Sequence, residues 1–257
     1  MRTLRVVAAL GRRSVLQTIR RPQLAAPLII FPTLLLAIQS AGAGRAIDLP
    51  GFPPVDSFLD FLLAGAMVQS AMFAGNTAGI ALAVDIEMGF TDRLLTAPIP
   101  RFAIVAGRLM GTGALGAITA IWFLVVGVLF GVRIDEGIPG ALLMFVLVTL
   151  SALAFGSLGA ALALRTGSAS VVQGMFPLVF VILFMSTAFF PQDLLVEPAS
   201  TIAEYNPLSF IAEAVRDPVI SSFSISDLLK GIGGIALVGA AGVTLSARAL
   251  KRRIRVG

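Results

Sequence analysis

The chain has 257 residues; 57% are hydrophobic and only 13% charged, with 19 Lys and Arg against 14 Asp and Glu for a net charge of +5. Soluble domains carry about a quarter charged residues. This composition therefore leaves too little polar surface to cover a globule in water and too much apolar surface for disorder, and it describes a polytopic membrane protein. Cysteine and histidine are absent, which excludes disulfides, thiolate chemistry, histidine-built zinc sites and a rhomboid-type Ser–His protease.

The chain opens with Met1-Arg-Thr-Leu-Arg-Val-Val-Ala-Ala-Leu10, an apolar run too short for a signal-peptide core before Arg12 and Arg13 interrupt it. At helical spacing Arg2, Arg5, Arg12, Arg13 and Arg20 share one side, with Leu4, Val7, Ala8, Val15 and Ile19 opposite. The pattern predicts an amphipathic helix over 1–23 lying on the membrane surface. Six apolar stretches follow, at about 24–42, 59–84, 109–130, 141–164, 169–190 and 228–247. Each is long enough for a span of about 20 residues. Pro27, Pro32 and Pro177 fall inside spans, so the backbone groups they free must be satisfied by neighbouring helices or polar side chains. The expected architecture is all-α: six transmembrane helices, an interfacial N-terminal helix, and short external or re-entrant helices before the sixth span. Residues 1–257 would form one transmembrane unit.

Placing both termini on one side puts Arg2, Arg5, Arg12, Arg13, Arg20, Arg21, Arg93, Arg101, Arg108, Arg165, Arg248, Lys251, Arg252, Arg253 and Arg255 there. Only Arg45, Arg133, Arg216 and Lys230 fall opposite. That bias predicts cytoplasmic termini in a multi-pass plasma-membrane protein. The positive charge thus reflects topology and attraction to anionic lipid, not nucleic-acid binding.

Two connections exceed what a turn requires. In 85–108, Gly89 breaks the preceding helix, Thr91 or Asp92 can cap a short new one containing Arg93, Leu94 and Leu95, and Pro98 and Pro100 stop it. A short stiff helix just below the bilayer suits force transmission to a partner; the same residues also suit a solvated connector. The segment 191–227 is too apolar for a loop and reads as two short helices, the second capped by Asn206 with Pro207 at its first position and ended by Asp217-Pro218. It either re-enters the outer leaflet or forms a structural external cap.

Polar residues within spans are few: Gln69, Ser70, Asn76 and Thr77 in the second, Gln173, Ser186 and Thr187 in the fifth. Gln69, Asn76 and Gln173 suit interhelical hydrogen bonds, with substrate contact as the alternative. Gly75–Gly79 and Gly127–Gly131 are spaced for close helix contacts. Asp56 and Asp60 read as a solvated span entrance. Neither Lys230 nor Lys251 sits in a Gly-x-x-x-x-Gly-Lys-[Ser/Thr] motif, so the chain has no P-loop for ATP. No nucleophile–base pair, redox-cofactor motif or metal-ligand cluster is visible, and an enzyme reading has no support.

Six spans, cytoplasmic termini and a helical segment before the last span resemble type-2 ABC transporter permeases, in particular the daunorubicin/doxorubicin-resistance subgroup. Two stretches carry the resemblance: Glu87-Met-Gly-Phe-Thr-Asp-Arg93-Leu-Leu-Thr-Ala-Pro98-Ile-Pro-Arg101 continuing to Gly107-Arg108, and Tyr205-Asn206-Pro207-Leu-Ser-Phe-Ile-Ala-Glu-Ala-Val-Arg216. The resemblance implies a permease subunit forming half of an export path for an amphipathic drug, lipid or similar metabolite. A second permease, identical or related, and two copies of an ABC ATP-binding subunit would complete the complex. ATP and Mg would bind that subunit, and no cofactor would bind this chain. The cytoplasmic loop would be a coupling helix, with Asp92 and Arg93 as polar contacts and Leu94 and Leu95 as apolar anchors. Pro98 and Pro100 would fix its end, and Glu87 and Arg101 would complete the set. Arg12, Arg13, Arg20 and Arg21 would anchor the interfacial helix at the headgroups. A stand-alone channel would instead require intramembrane ionisable residues, and a non-transporting scaffold or sensor would use the polar residues only structurally.

Overall fold

The structure is a computed structural model that describes residues 2–20, 22–90, 101–220 and 224–256. It is all-helical, 84% helix with no strands among the described residues. The helices are α1 (Arg2–Arg20), α2 (Pro22–Ala43), α3 (Phe58–Glu87), α4 (Arg101–Leu129), α5 (Gly137–Thr166), α6 (Ala169–Gly174), α7 (Phe176–Phe184), α8 (Ala199–Tyr205), α9 (Pro207–Ile220) and α10 (Ile225–Val256).

Local chemistry sets the boundaries. Ser57 caps α3: its hydroxyl accepts from Asp60 N at 3.3 Å, and Asp60 Oδ2 accepts from Ser57 N at 2.8 Å. This reciprocal box satisfies two orphan donors. Asp60 is therefore a buried capping residue, not part of the solvated span entrance expected of Asp56 and Asp60. At the other end Gly89 adopts a left-handed φ of +67°, the expected break after Glu87. Gly167, with φ +66°, ends α5 by donating to Ala163 O at 2.8 Å. In α2, Pro27 and Pro32 are carried within the helix. Thr33 Oγ1 donates back to Ile29 O and accepts from Trp122 Nε1 at 3.0 Å, which ties α2 to α4.

Among the described residues five helices, in α2, α3, α4, α5 and α10, are long and apolar enough to cross a membrane. The sequence predicts six. The stretch expected as the fifth span is instead divided at Met175 into α6 and α7 and ends at Phe184. Gly174 lowers helix propensity there and Pro177 removes a donor. The apolar run Ala169–Phe184 reaches only about 24 Å, short of a hydrocarbon core of about 30 Å.

Helix α3 is the axis of the packing; Phe61, Leu62, Met67, Val68 and Ala71 along it are almost fully buried. It runs parallel to α5. A Cβ at Gly75 would come within 2.6 Å of the Phe155 backbone, and one at Gly79 within 2.9 Å of Gly159. Both glycines are thus needed for the helices to touch. Gly127 meets Leu63, but Gly131 lies in a turn with φ +94° and open space, so the second glycine pair does not act as a unit. Helix α10 also runs parallel to α5, with Ser246 Oγ donating to Ser157 O at 2.9 Å. Helix α1 lies along the first turns of α4: Leu10 faces Gly107 and Ser14 faces Gly111. A protein helix, and not lipid alone, therefore takes up part of its surface.

Candidate functional site

Polar side chains gather at the two ends of α3. One end brings together α1, the end of α3, the beginning of α4 and the turn between α5 and α6. Asp85 is almost fully buried and accepts from Arg13 Nη1 at 3.5 Å; the Arg13 guanidinium lies 3.9 Å above the Phe90 ring. Glu87, two residues further along α3, is exposed, and its carboxylate accepts from Ala169 N at 2.8 Å. That bond satisfies a first-turn donor of α6 and places negative charge at a helix N-terminus. The chain therefore leaves α3 held to α1 by Arg13 and to the α5–α6 turn by Glu87. It returns in α4, whose first turns pack on α1. Both roots of the segment 91–100 thus bear on α1.

Of the expected coupling residues, Asp92, Arg93, Leu94, Leu95, Pro98 and Pro100 lie outside the described residues. Arg101 opens α4. Of the expected anchors, Arg12 and Arg20 are exposed on α1, Arg13 is turned to Asp85, and Arg21 lies outside the described residues.

The opposite end is built around Arg216 on α9. Its side chain is buried; Nε donates to Phe61 O at 3.2 Å, and Nη2 to Thr187 O at 2.8 Å and Ala188 O at 3.0 Å. The guanidinium stacks 3.8 Å over the Phe61 ring. Burial lowers its pKa to about 10, against the opposing pull of Glu213, so it stays protonated at neutral pH. Glu213, one turn earlier, accepts from Thr187 Oγ1 at 3.0 Å. Burial raises its pKa, opposed by the Thr187 hydrogen bond and by Arg216. Both groups border a cavity of about 410 Å³ whose rim includes Phe52, Asp193, Asp217 and Asp227.

Asn206 fixes this end. Its Oδ1 accepts from Leu208 N at 3.0 Å, the expected cap of α9. Its Nδ2 donates to Ile182 O at 2.9 Å and Met185 O at 2.8 Å, the free carbonyls at the end of α7. Pro207 stands at the first position of α9 as expected. The helix does not stop at Asp217-Pro218 but runs to Ile220. The carbonyl of Pro218 accepts from Asp135 N at 3.0 Å, which supports this last turn.

The weaker path candidates scatter. Gln69 is fully buried in α3 with both amide atoms lacking a protein partner, Asn76 is half-buried, and Gln173 is exposed on α6. None of them lines the cavity beside Arg216. Sequence reasoning did not single out Glu213, Asp85 or Phe90 as site residues. The i, i+3 spacing of Glu213 and Arg216 on an otherwise apolar helix was the available signal for the first. It also missed an aromatic ladder in which Phe180 meets Phe31 at 5.5 Å and Phe73 at 5.5 Å, joining α7 to α2 and α3.

Membrane-length helices packed around a buried axis, with a polar cluster at each of its ends, define a multi-pass membrane protein. Residues 5–219 match the ABC-2 type transporter family, and the chain belongs to it. It is similar to a daunorubicin resistance ABC transporter permease protein of Streptomyces coeruleorubidus, 26% identical over 74% of this chain and 66% of that protein. A putative transport permease of Porphyra purpurea is 30% identical over 82% of this chain and 72% of its own length. A probable doxorubicin resistance ABC transporter permease protein of Mycobacterium tuberculosis is 23% identical over 86% and 80%. The resemblance read from the two motif stretches is thus borne out, and the chain is similar to transport permease subunits.

Proposed function

We propose that this chain is the permease subunit of an ATP-driven exporter, with both termini cytoplasmic and residues 1–257 acting as one transmembrane unit. Two copies of a separate ABC ATP-binding subunit, carrying ATP and Mg, drive it, and a second permease completes the path for an amphipathic drug, lipid or similar metabolite. The observation that carries this reading is the bracing of the two helix ends, of α3 and α4, that flank residues 91–100. Both roots of that segment bear on α1, one through Arg13–Asp85 and the other through the Leu10–Gly107 contact. A load applied to 91–100 passes into α3, α4 and α1 together, as a coupling element requires. The fifteen basic residues assigned to the terminal side support the orientation.

The test is co-purification of the chain from its native membranes in mild detergent, followed by ATPase assay of the recovered complex. The expected result is a P-loop ATPase that is lost when 85–101 is scrambled. Arg93→Glu should insert normally yet lower partner-dependent hydrolysis by about tenfold, the loss expected for reversing a charge at a docked contact. Recovery of a folded chain with no ATPase, with and without a nonhydrolysable ATP analogue, would overturn the exporter reading.

A further inference from the structure

The ends of α5 and α10 enclose a cleft of about 280 Å³ on the same end of the protein as Asp85. Arg165 comes from α5, and Arg248 and Arg252 from α10; Leu158, Leu162 and Leu245 supply most of the apolar wall. Among the described residues none of the three arginines forms an ion pair, and no carboxylate lines the cleft. Glu87, on the nearby end of α3, is bonded to Ala169 N instead. Arg248 and Arg252 also stand four residues apart on one helix, a like-charge spacing that disfavours the helix unless an anion offsets it.

The order of residue types along the cleft narrows the ligand. Because α5 and α10 run parallel, Leu158 and Leu162 precede Arg165 in the same direction that Leu245 precedes Arg248 and Arg252. The cleft is thus apolar toward the middle of both membrane-length helices and cationic toward their ends. A soluble anion would use only the cationic part. A molecule with a phosphate at one end and a hydrocarbon tail at the other uses all of it. Guanidinium groups match phosphate oxygens in planar, paired hydrogen bonds, and basic pockets between transmembrane helices suit anionic headgroups.

We propose that this cleft holds one anionic phospholipid, its phosphate among Arg165, Arg248 and Arg252 and an acyl chain along Leu158, Leu162 and Leu245. The bound lipid ties the end of α10 to the end of α5. The proposal requires only that both helices lie in a bilayer and does not depend on the exporter reading.

The test uses the full chain, with any partner it retains, and native mass spectrometry with added phosphatidylglycerol or phosphatidylcholine. The expected result is one phosphatidylglycerol retained per chain through detergent exchange and no retained phosphatidylcholine. Arg165→Gln/Arg248→Gln should weaken phosphatidylglycerol binding about tenfold or more, whereas Arg45→Gln/Arg133→Gln, which removes equal charge from exposed positions outside the cleft lining, should leave it unchanged. Arg165→Lys/Arg248→Lys keeps the charge and the fold and should show an intermediate loss. Equal retention of both lipids, an equal loss in the two glutamine variants, or binding unaltered in both cleft variants would overturn the proposal. So would displacement of the lipid by inorganic phosphate at matched concentration, which would mark a soluble-anion site.

Discussion

The two ends of α3 hold an arginine by different means. At one end Arg216 is buried and donates to three backbone carbonyls from α3 and the chain after α7. At the other, Arg13 has a side chain 39% exposed and meets the buried Asp85 at 3.5 Å, with one face on Phe90. A buried arginine that satisfies fixed carbonyls makes a rigid knot, because any displacement strands polar groups in low dielectric. A half-solvated ion pair can slide or exchange with water at small cost. The difference suggests a division of labour: the Arg216 end fixes the helices in register, and the Arg13 end, next to residues 91–100, is free to respond to load.

The largest expected effect breaks the rigid end. Arg216→Ala leaves the carbonyls of Phe61, Thr187 and Ala188 without that donor and Glu213 without its nearer cation, and should destabilise the protein by about 3–5 kcal/mol. Thermal unfolding of the purified chain, or failure to recover monodisperse protein, measures this. A transition temperature within error of wild type would show that the knot carries no structural load. Arg216→Lys should recover part of the loss, since one ammonium cannot reach all three carbonyls in the guanidinium's planar geometry.

The next effect tests the axis that joins the two ends. Gly75→Val places a branched side chain against the Phe155 backbone, where even a Cβ comes within 2.6 Å. Overpacking of this kind costs about 1–3 kcal/mol. If α3 and α5 merely lie side by side, the variant will melt as wild type does. If the glycine contact sets their separation, it will melt lower and cross-linking yields between α3 and α5 will fall.

What the sequence could and could not show follows from the range of the interactions involved. The Asn206–Pro207 cap was legible because capping is local: the amide oxygen reaches a donor two residues on. That the same amide's nitrogen closes α7 was not legible, since Ile182 and Met185 lie more than twenty residues away. The Ser57-Phe-Leu-Asp60 box is equally local, yet Asp56 and Asp60 read together as a solvated span entrance, because an exposed carboxylate and a capping one look alike in sequence. The apolar stretches located the long helices, but apolarity is blind to continuity, and Gly174 and Pro177 cut the fifth where composition alone predicts a span. Arg216 was recognised by its motif, whereas its partners, Phe61 among them at a separation of 155 residues, depend on tertiary packing.

A smaller effect probes the compliant end. Arg13→Gln removes a pair in which one partner is substantially solvated, together with a cation–ring contact, and should cost about 0.5–1 kcal/mol or less. If that end transmits load in a complex with an ATPase, the variant should stay folded while partner-dependent hydrolysis or transport falls. Unchanged coupling would place the transmission elsewhere than in α1.

The smallest effect sharpens the rigid end by titrating it. Glu213 is flanked by Thr187 and Arg216, with Asp227 and Lys230 facing it from α10, and burial raises its pKa from the ordinary 4.5. The folded state therefore binds this proton more tightly than the unfolded one. By linkage, the stability so gained is full below about 4.5, the unfolded value, and is lost as pH rises through the folded pKa. Glu213→Gln mimics the protonated group at every pH. The transition temperature of the variant relative to wild type should therefore be higher at pH 7.5 than at pH 5, with Thr187 still able to donate to the amide oxygen. A difference that stays flat, or rises toward acid, would mean that Arg216 rather than burial governs this carboxylate, and that the two residues act as an ion pair instead of a cation knot with a reluctant acid beside it.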